Sequence, residues 1–425
     1  MSVGQAVLRQ RRSPATVRWP ADRIAITATF LTHGFVFASW TAHIPQLKES
    51  LGLSDGSLGE TLLGAPAGSV TAMICSGYLL PRLGSKRLVQ LCLVGYATAG
   101  ITVGLTHSML QLFAALYLWG AFQGALDVAM NTQAIAVERA AGRPMMSGLH
   151  GTWSIGSFSG AAAGALGVSI GLPLPAQLAC IAAVALPVTG WWSRQLRTDA
   201  VAAGAAGRNA RRRRFTPVLV VLGGIVFAAL LCEGAAADWA AVYLRGPGQA
   251  GPALAGLGYA CFSFTMVLIR LFGNKLLVRF PVHRLLPGLA VLSTVGFAVG
   301  LALPGPATGL IGFGCLALGL ASVVPTLFSA AGRVSGMHPG SAVATVATFG
   351  WAGFVCGPPV IGQLSQLSNL RLALALLPTC TAVIAIATAT VRAIRPVPGP
   401  GRKPGSSTRP SVASRRPGSA DELQS

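Results

Sequence analysis

Two long stretches of the chain, 24–193 and 216–391, are almost free of charge, and the segment between them carries seven arginines and no apolar run. Charged residues make up 10% of the 425 and hydrophobic residues 52%, whereas a soluble domain carries roughly 25% charge. Too little charge is present to cover a water-facing surface, so the apolar stretches must face lipid. Lipid offers the backbone no hydrogen-bond partner, so a spanning segment must be a helix or part of a closed barrel. A hydrocarbon layer of about 30 Å takes roughly 20 residues of helix.

That length divides the first stretch into six spans, near 24–44, 58–80, 88–106, 110–133, 146–170 and 174–193. The second stretch divides near 217–243, 253–277, 285–303, 309–331, 341–364 and 371–391. The expected fold is therefore all-α, a polytopic membrane protein with twelve transmembrane helices. Residues 21–193 form one six-helix bundle and 216–393 a second. The segment 194–215 reads as a water-exposed basic linker, too poor in apolar side chains to offset the entropy of ordering. Residues 1–20 read as a disordered basic arm and 394–425, rich in Pro, Ser, Arg and Gly, as a disordered tail.

With both termini in the cytoplasm, all of the 32 Lys and Arg but Lys48, Arg245, Arg371 and Arg270 fall in inside segments. Basic residues accumulate on the cytoplasmic side of membrane proteins, so the asymmetry sets the orientation. The net charge of +21 is thereby a feature of loops and tails. No basic face with interleaved aromatics points to nucleic acid. The eight cysteines lie inside apolar runs with no CxxC spacing, which predicts neither a disulfide framework nor a metal site. No cofactor motif is present, and the lack of HExxH, GxSxG or a phosphate-cradling glycine loop outside the spans argues against an enzyme.

The two halves match each other at an offset of about 197 residues, both starting on the same side, as in parallel repeats. RLGSKR (82–87) aligns with RFPVHR (279–284), Trp153 with Trp351, and Gly124 with Gly319, which sets Asp127 against Ser322 and Asn131 against Thr326. GYLLPRLGSKR (77–87) resembles the motif between the second and third helices of the major facilitator superfamily, with Pro81 where that family has an acid. GALDVAMNTQ (124–133), EGAAADWAAVYL (233–244) and VVPTLFSAAGR (323–333) resemble stretches of a group of bacterial inner-membrane facilitators near the fucose-permease-like branch. The resemblance spans about 24–391. It implies two parallel six-helix repeats, a central cavity lined by the first, fourth, seventh and tenth spans, transport as the activity, and a working monomer.

Buried polar groups in spans are costly, on the order of 2.5–3.5 kcal/mol for a central charge on insertion scales, so the few present mark candidate sites. Gln123, Asp127 and Asn131 stand at i, i+4, i+8 on one helix face, a stripe that can line a wet path or knot the helix to a neighbour. Glu233 and Asp238 flank a Gly-Ala run expected to weaken the seventh span. His33 is central in the first span, where it can pair with a carboxylate or sit as a neutral core residue. Trp40, two turns on, can stack on a ligand or anchor at the interface. Ser322 and Thr326 are candidate hydrogen-bond donors to a solute. Arg82, Gly84, Lys86, Arg87, His150, Arg270 and Arg279 are candidates for a cytoplasmic gate, with Asp127–His150 a plausible pair.

The expected function is secondary active transport of a small solute across the cytoplasmic membrane, with protons as the coupling ion and lipid as the surrounding partner. Export of a drug or metabolite competes with import of a nutrient. A transporter-like sensor or scaffold, using its basic tails on anionic lipid, is the reading from another class.

Overall fold

The computed structural model describes residues 20–142, 145–198, 216–334 and 339–391. The basic arm (1–20) apart from Pro20, nearly all of the linker and the tail (394–425) lie outside the described residues. Every regular element among the described residues is helical. In the first half these are α1 (Ala21–Ser39), a 3-10 turn (Thr41–His43), α2 (Ile44–Ser50), α3 (Asp55–Leu62), α4 (Gly64–Val103), α5 (Met109–Ala141), α6 (Met146–Ser169) and α7 (Leu174–Ser193). The second half contains α8 (Pro217–Arg245), α9 (Pro252–Arg279), α10 (Val282–Ala302), α11 (Pro306–Leu320), α12 (Val323–Ala331), α13 (Pro339–Leu367), α14 (Leu370–Ala373) and α15 (Leu376–Thr390).

Ten helical stretches are long and apolar enough to cross a membrane. One of them, running from α3 through α4, reverses direction at Gly84 (φ 75°, ψ 156°) and so holds two spans. The left-handed φ at that turn is open to glycine at no steric cost. The Gly- and Ser-rich helix α6 lies outside those ten on hydropathy, yet it packs between α1 and α9. Twelve spans result, as the pattern of apolar runs requires.

Close helix packing within each half rests on glycine rather than on large side chains. A Cβ built on Gly156, Gly160 or Gly164 of α6 would overlap the carbonyls of Leu31, Phe35 or Ser39 on α1. Gly68, Gly120 and Gly124 bring α4 and α5 together in the same way, through the carbonyls of Tyr117, Ala65 and Ser69. In the second half Gly353 of α13 meets the Phe227 carbonyl of α8. Lipid supplies no hydrophobic drive for one helix to seek another, so close backbone approach and dispersion carry the association.

At one end of the bundle, the linker end, lie the start of α1, the Gly84 turn and residues 194–197. At the far end lie the 3-10 turn, α2, α3 and the α8–α9 loop. Two expectations are corrected here. Residues 194–197 are not free linker: Lys86 Nζ donates to the Arg194 carbonyl at 2.6 Å, and Arg197 pairs with Asp22 at 2.7 Å. Gln133, fully buried on α5, exchanges bonds with the Arg197 backbone (3.1 and 2.7 Å) and donates to Ser85 (2.7 Å). The Gly-Ala run 234–237 does not interrupt the seventh span, since α8 is continuous over Pro217–Arg245. Those small residues are buried and admit neighbours instead, with Phe354 of α13 close over Gly234.

Candidate functional site

The two halves meet along a seam from the far end to about mid-depth. At the far end Asp55 accepts from Lys48 of its own half and from Ser365 of α13. Gln366 Oε1 accepts from the Gly56 amide (3.5 Å), Gln363 donates to Glu60 (2.8 Å), and Arg245 faces Glu49 at 3.6 Å. Between them α3 and α13 cross backbone to backbone: a Cβ on Gly59 would stand 2.6 Å from the Pro358 carbonyl, and one on Gly362 2.7 Å from the Asp55 carbonyl. Deeper along the seam, Ser157 Oγ of α6 lies 3.4 Å from both Tyr259 Oη and Ser263 Oγ of α9. Arg270 of α9 donates to Ser154 Oγ of α6 at 2.5 Å. None of these contacts is nearer the linker end than Arg270–Ser154.

At that depth Glu233 of α8 comes together with Arg270, Tyr259, Ser154, Ser157, Ser263 and Trp153 around a cavity of about 10 Å³. That is room for one water at most, so this is a closed seam and not a loaded site. Glu233 is half-buried and makes no hydrogen bond or ion pair among the described residues. Arg270, one guanidinium donor spent on Ser154, lies within electrostatic reach of it. Asp238, five residues further toward the far end, is also half-buried and unpaired. Ionisable groups inside a lipid-embedded bundle are costly and mark substrate or ion paths.

The other candidates divide by where the fold puts them. Gln123, Asp127 and Asn131 are all half-buried on α5, and Asn131 Nδ2 donates to the Asp127 carbonyl (2.8 Å) and carboxylate (3.2 Å). Asp127 does not pair with His150, a correction to the sequence expectation. His150 is exposed at the linker end of α6, edge-on to Phe30 and within electrostatic reach of Arg270. Thr326 is half-buried on α12, and Ser322 caps that helix facing Gly273 of α9.

His33 and Trp40 both lie in the core of the first half. His33 is 3% exposed, accepts from Trp153 Nε1 at 2.7 Å and stacks on Tyr96; no carboxylate pairs with it. Trp40 is 4% exposed and packs edge-on against Trp119, which stacks on Tyr96. This aromatic column fills the first half's core, so Trp40 presents no face to a solute here. Of the gate candidates, Arg82 bonds its own helix at the Tyr78 carbonyl (2.8 Å), Gly84 makes the turn, and Lys86 holds Arg194. Arg87 and Arg279 are exposed, and Arg270 sits deeper than a surface gate, at the seam.

The sequence reading missed Tyr259, Ser157, Ser263 and Asp55, because small hydroxyls and a loop acid carry no signal until the partner helix is known. No group of three or more His, Cys, Asp or Glu that could hold a metal ion occurs among the described residues.

No protein-family model matches the chain. An uncharacterised MFS-type transporter of Yersinia pestis is 32% identical over 364 residues, covering 83% of this chain and 91% of that relative. Membrane protein MosC of Rhizobium meliloti is 29% identical over 377 residues, 87% of this chain and 90% of that protein. Among solved structures the nucleoside transporter NupG superposes with a TM-score of 0.64 at 14% identity, over 86% of this chain and 98% of that one. The D-xylose–proton symporter gives 0.67 at 13% identity, over 87% and 98%. A bacterial homologue of the lysosomal transporter Spinster, inward-facing and unoccupied, gives 0.63 at 16%, over 89% and 99%. Those likenesses show the same overall fold, with which twelve spans are consistent, and the match to the Yersinia relative carries the family: the chain belongs to the major facilitator superfamily of membrane transporters.

Proposed function

We propose that the chain is a secondary active transporter that moves a small polar solute across the cytoplasmic membrane by alternating access, coupled to protons. The observation that carries the reading is the pair of unpaired, half-buried carboxylates, Glu233 and Asp238, on a helix that lines the seam between halves. Asp127, held only by Asn131 on the facing half, supplies a third acid. An ionised carboxylate tolerates a water-open cavity and resists occlusion in a low-dielectric interior, whereas a neutral one tolerates both. Proton uptake at these acids therefore permits the halves to rock around the central site.

The Lys and Arg bias assigns the linker end, both termini and the 194–215 segment to the cytoplasm. Far-end contacts across the seam support an inward-facing or occluded orientation. The two bundles, 21–193 and 216–393, are the moving bodies, with the arm and tail as cytoplasmic extensions and one chain as the working unit. Gln123, Asn131, Ser322, Thr326, Tyr259 and Ser263 offer hydroxyl and amide groups to the solute. Sugars and nucleosides are the solutes named for the structural relatives, and polar, hydrogen-bonding solutes of that size suit these groups.

Thermal unfolding of the purified protein against panels of sugars, nucleosides and antibiotics, at about pH 5.5 and pH 7.5, tests the reading. A ligand at one hundred times its Kd adds about 2.7 kcal/mol, so the cognate class should raise Tm, and by different amounts at the two pH values. With that solute in proteoliposomes, Asp127→Asn combined with Glu233→Gln should abolish uptake driven by a pH gradient. Unchanged gradient-driven uptake in the double variant would overturn the coupling.

A further inference from the structure

Arg270 is the basic side chain set deepest within a span by sequence, and its guanidinium stands between two groups with opposite demands on it. Ser154 of α6, in the first half, accepts its Nη1 at 2.5 Å. Glu233 of α8, in the second half, lines the same small cavity and is within its electrostatic reach but is not bonded to it. Ser154 is buried and donates its own hydroxyl to the His150 carbonyl at 3.1 Å, so the Arg270 bond is fixed by the α6 backbone. The guanidinium carries five donors in a planar fork, and turning that fork toward Glu233 offers a charge-assisted, two-pronged pair in place of one bond to a neutral hydroxyl.

We infer that Arg270 is a positioning residue that exchanges Ser154 for Glu233 according to the charge on Glu233, and so passes the state of the second half's acid to the seam. The inference rests on the proposed transport cycle and names the residue that links its two parts. When Glu233 is neutral, Arg270 holds Ser154 and ties α9 to α6, the arrangement seen here. When Glu233 is ionised, Arg270 pairs with it, and α6 loses the polar contact nearest the linker end among those joining the halves. The remaining charged or titratable groups facing this pair are Tyr259 of α9, which the electrostatics of both reach, and His150 of α6, which Arg270 reaches. Tyr259 is a phenol and presents no carboxylate to Arg270. His150 is exposed and makes no ion pair among the described residues, so neither substitutes for Glu233 as the partner of Arg270.

Spin-label distances read the seam without a known solute. His107 and Leu367 are exposed far-end residues on opposite halves. His107→Cys with Leu367→Cys, in a full-length chain whose eight native cysteines are replaced, reports far-end opening by pulsed electron paramagnetic resonance in nanodiscs. Between about pH 5 and pH 9, the long-distance population should rise with pH in the otherwise unchanged protein. Glu233→Gln should hold the short distance at every pH. Ser154→Ala should flatten the response because Arg270 has lost the partner it exchanges, and Arg270→Lys, which keeps the charge, should restore most of it relative to Arg270→Gln. Size-exclusion profiles and Tm within a few degrees of the parent identify variants that fold. A pH response identical in the parent, Ser154→Ala and Arg270→Gln would overturn the exchange while leaving proton-driven cycling intact. No pH response in the parent would overturn both.

Discussion

Trp153 donates its indole N–H to Nδ1 of His33 at 2.7 Å, and that single bond fixes the imidazole proton on Nε2. Nε2 is sealed in the first half's core without a hydrogen-bond partner, like Tyr96 Oη and Trp119 Nε1 beside it. The aromatic column His33–Tyr96–Trp119–Trp40 is therefore tied at Nδ1 to a tryptophan that also borders the central cavity. A group on the cavity wall sets the tautomer of a buried one behind it.

Replacing Trp153 with Phe keeps most of the ring's volume and removes the donor. His33 Nδ1 is then left unsatisfied in an apolar core, a loss of about 1–3 kcal/mol. Thermal unfolding of Trp153→Phe should show a clear drop in Tm, while His33→Phe combined with Trp153→Phe, which removes both partners of the bond, should lie closer to the parent. Equal losses in the two variants would mean that packing, not the hydrogen bond, sets the cost.

Gln133 anchors the linker end with three bonds from a site of 0% exposure. Gln133→Leu is nearly isosteric, yet it removes the bonds to the Ser85 hydroxyl and to both backbone groups of Arg197. Stability should fall by the net worth of the lost bonds, about 0.5–1.5 kcal/mol each. Gln133→Glu keeps acceptors but loses the donating amide, so its Tm should fall as well. An unchanged Tm in Gln133→Leu would show that water replaces the amide.

Much of this was readable before any coordinates. The twelve spans follow from the length that lipid imposes, and the break between the second and third from the basic run 82–87. The stripe Gln123–Asp127–Asn131 is found half-buried as spaced. Gln133 escaped notice because it lies two residues past that stripe, on the opposite face of α5, where its partners come from elsewhere in the chain. Trp40 escaped for a different reason: an aromatic near the end of a span has the same sequence signature whether it meets lipid, solute or a second tryptophan. The far-end seam was invisible, since a glycine pair such as Gly59 and Gly362 announces close packing without naming the partner.

Polar ties across the far end should contribute unequally. Asp55 holds both Lys48 and Ser365, and the Lys48–Asp55 side chains are only 26% and 20% exposed. Glu60, by contrast, is exposed and accepts from one amide. Exposed pairs are typically worth 0–1 kcal/mol, as an order of magnitude. Asp55→Ala should lengthen the far-end label distance in a large share of molecules, and Glu60→Ala should leave it nearly unchanged. The reverse ranking would place the seal elsewhere than α3.

Closure of the far end also depends on having no side chain at Gly59. The built Cβ meets the Pro358 carbonyl at 2.6 Å and the Gly362 Cα at 3.0 Å, both backbone, so neither neighbour can yield by rotating. Within α3 itself, alanine favours the helix over glycine by about 1 kcal/mol, so Gly59→Ala does not destabilise the helix that carries it. The two effects act on different states: helix formation is aided throughout, and only the closed seam is obstructed. Far-end label distances in Gly59→Ala should therefore shift to the open population with Tm unchanged or raised, and Gly59→Leu should shift it further. If Gly59→Ala keeps the short distance, α3 and α13 do not approach as closely as the seam requires. Gly362→Ala supplies the matched test from the other half, with its Cβ directed at the Asp55 carbonyl.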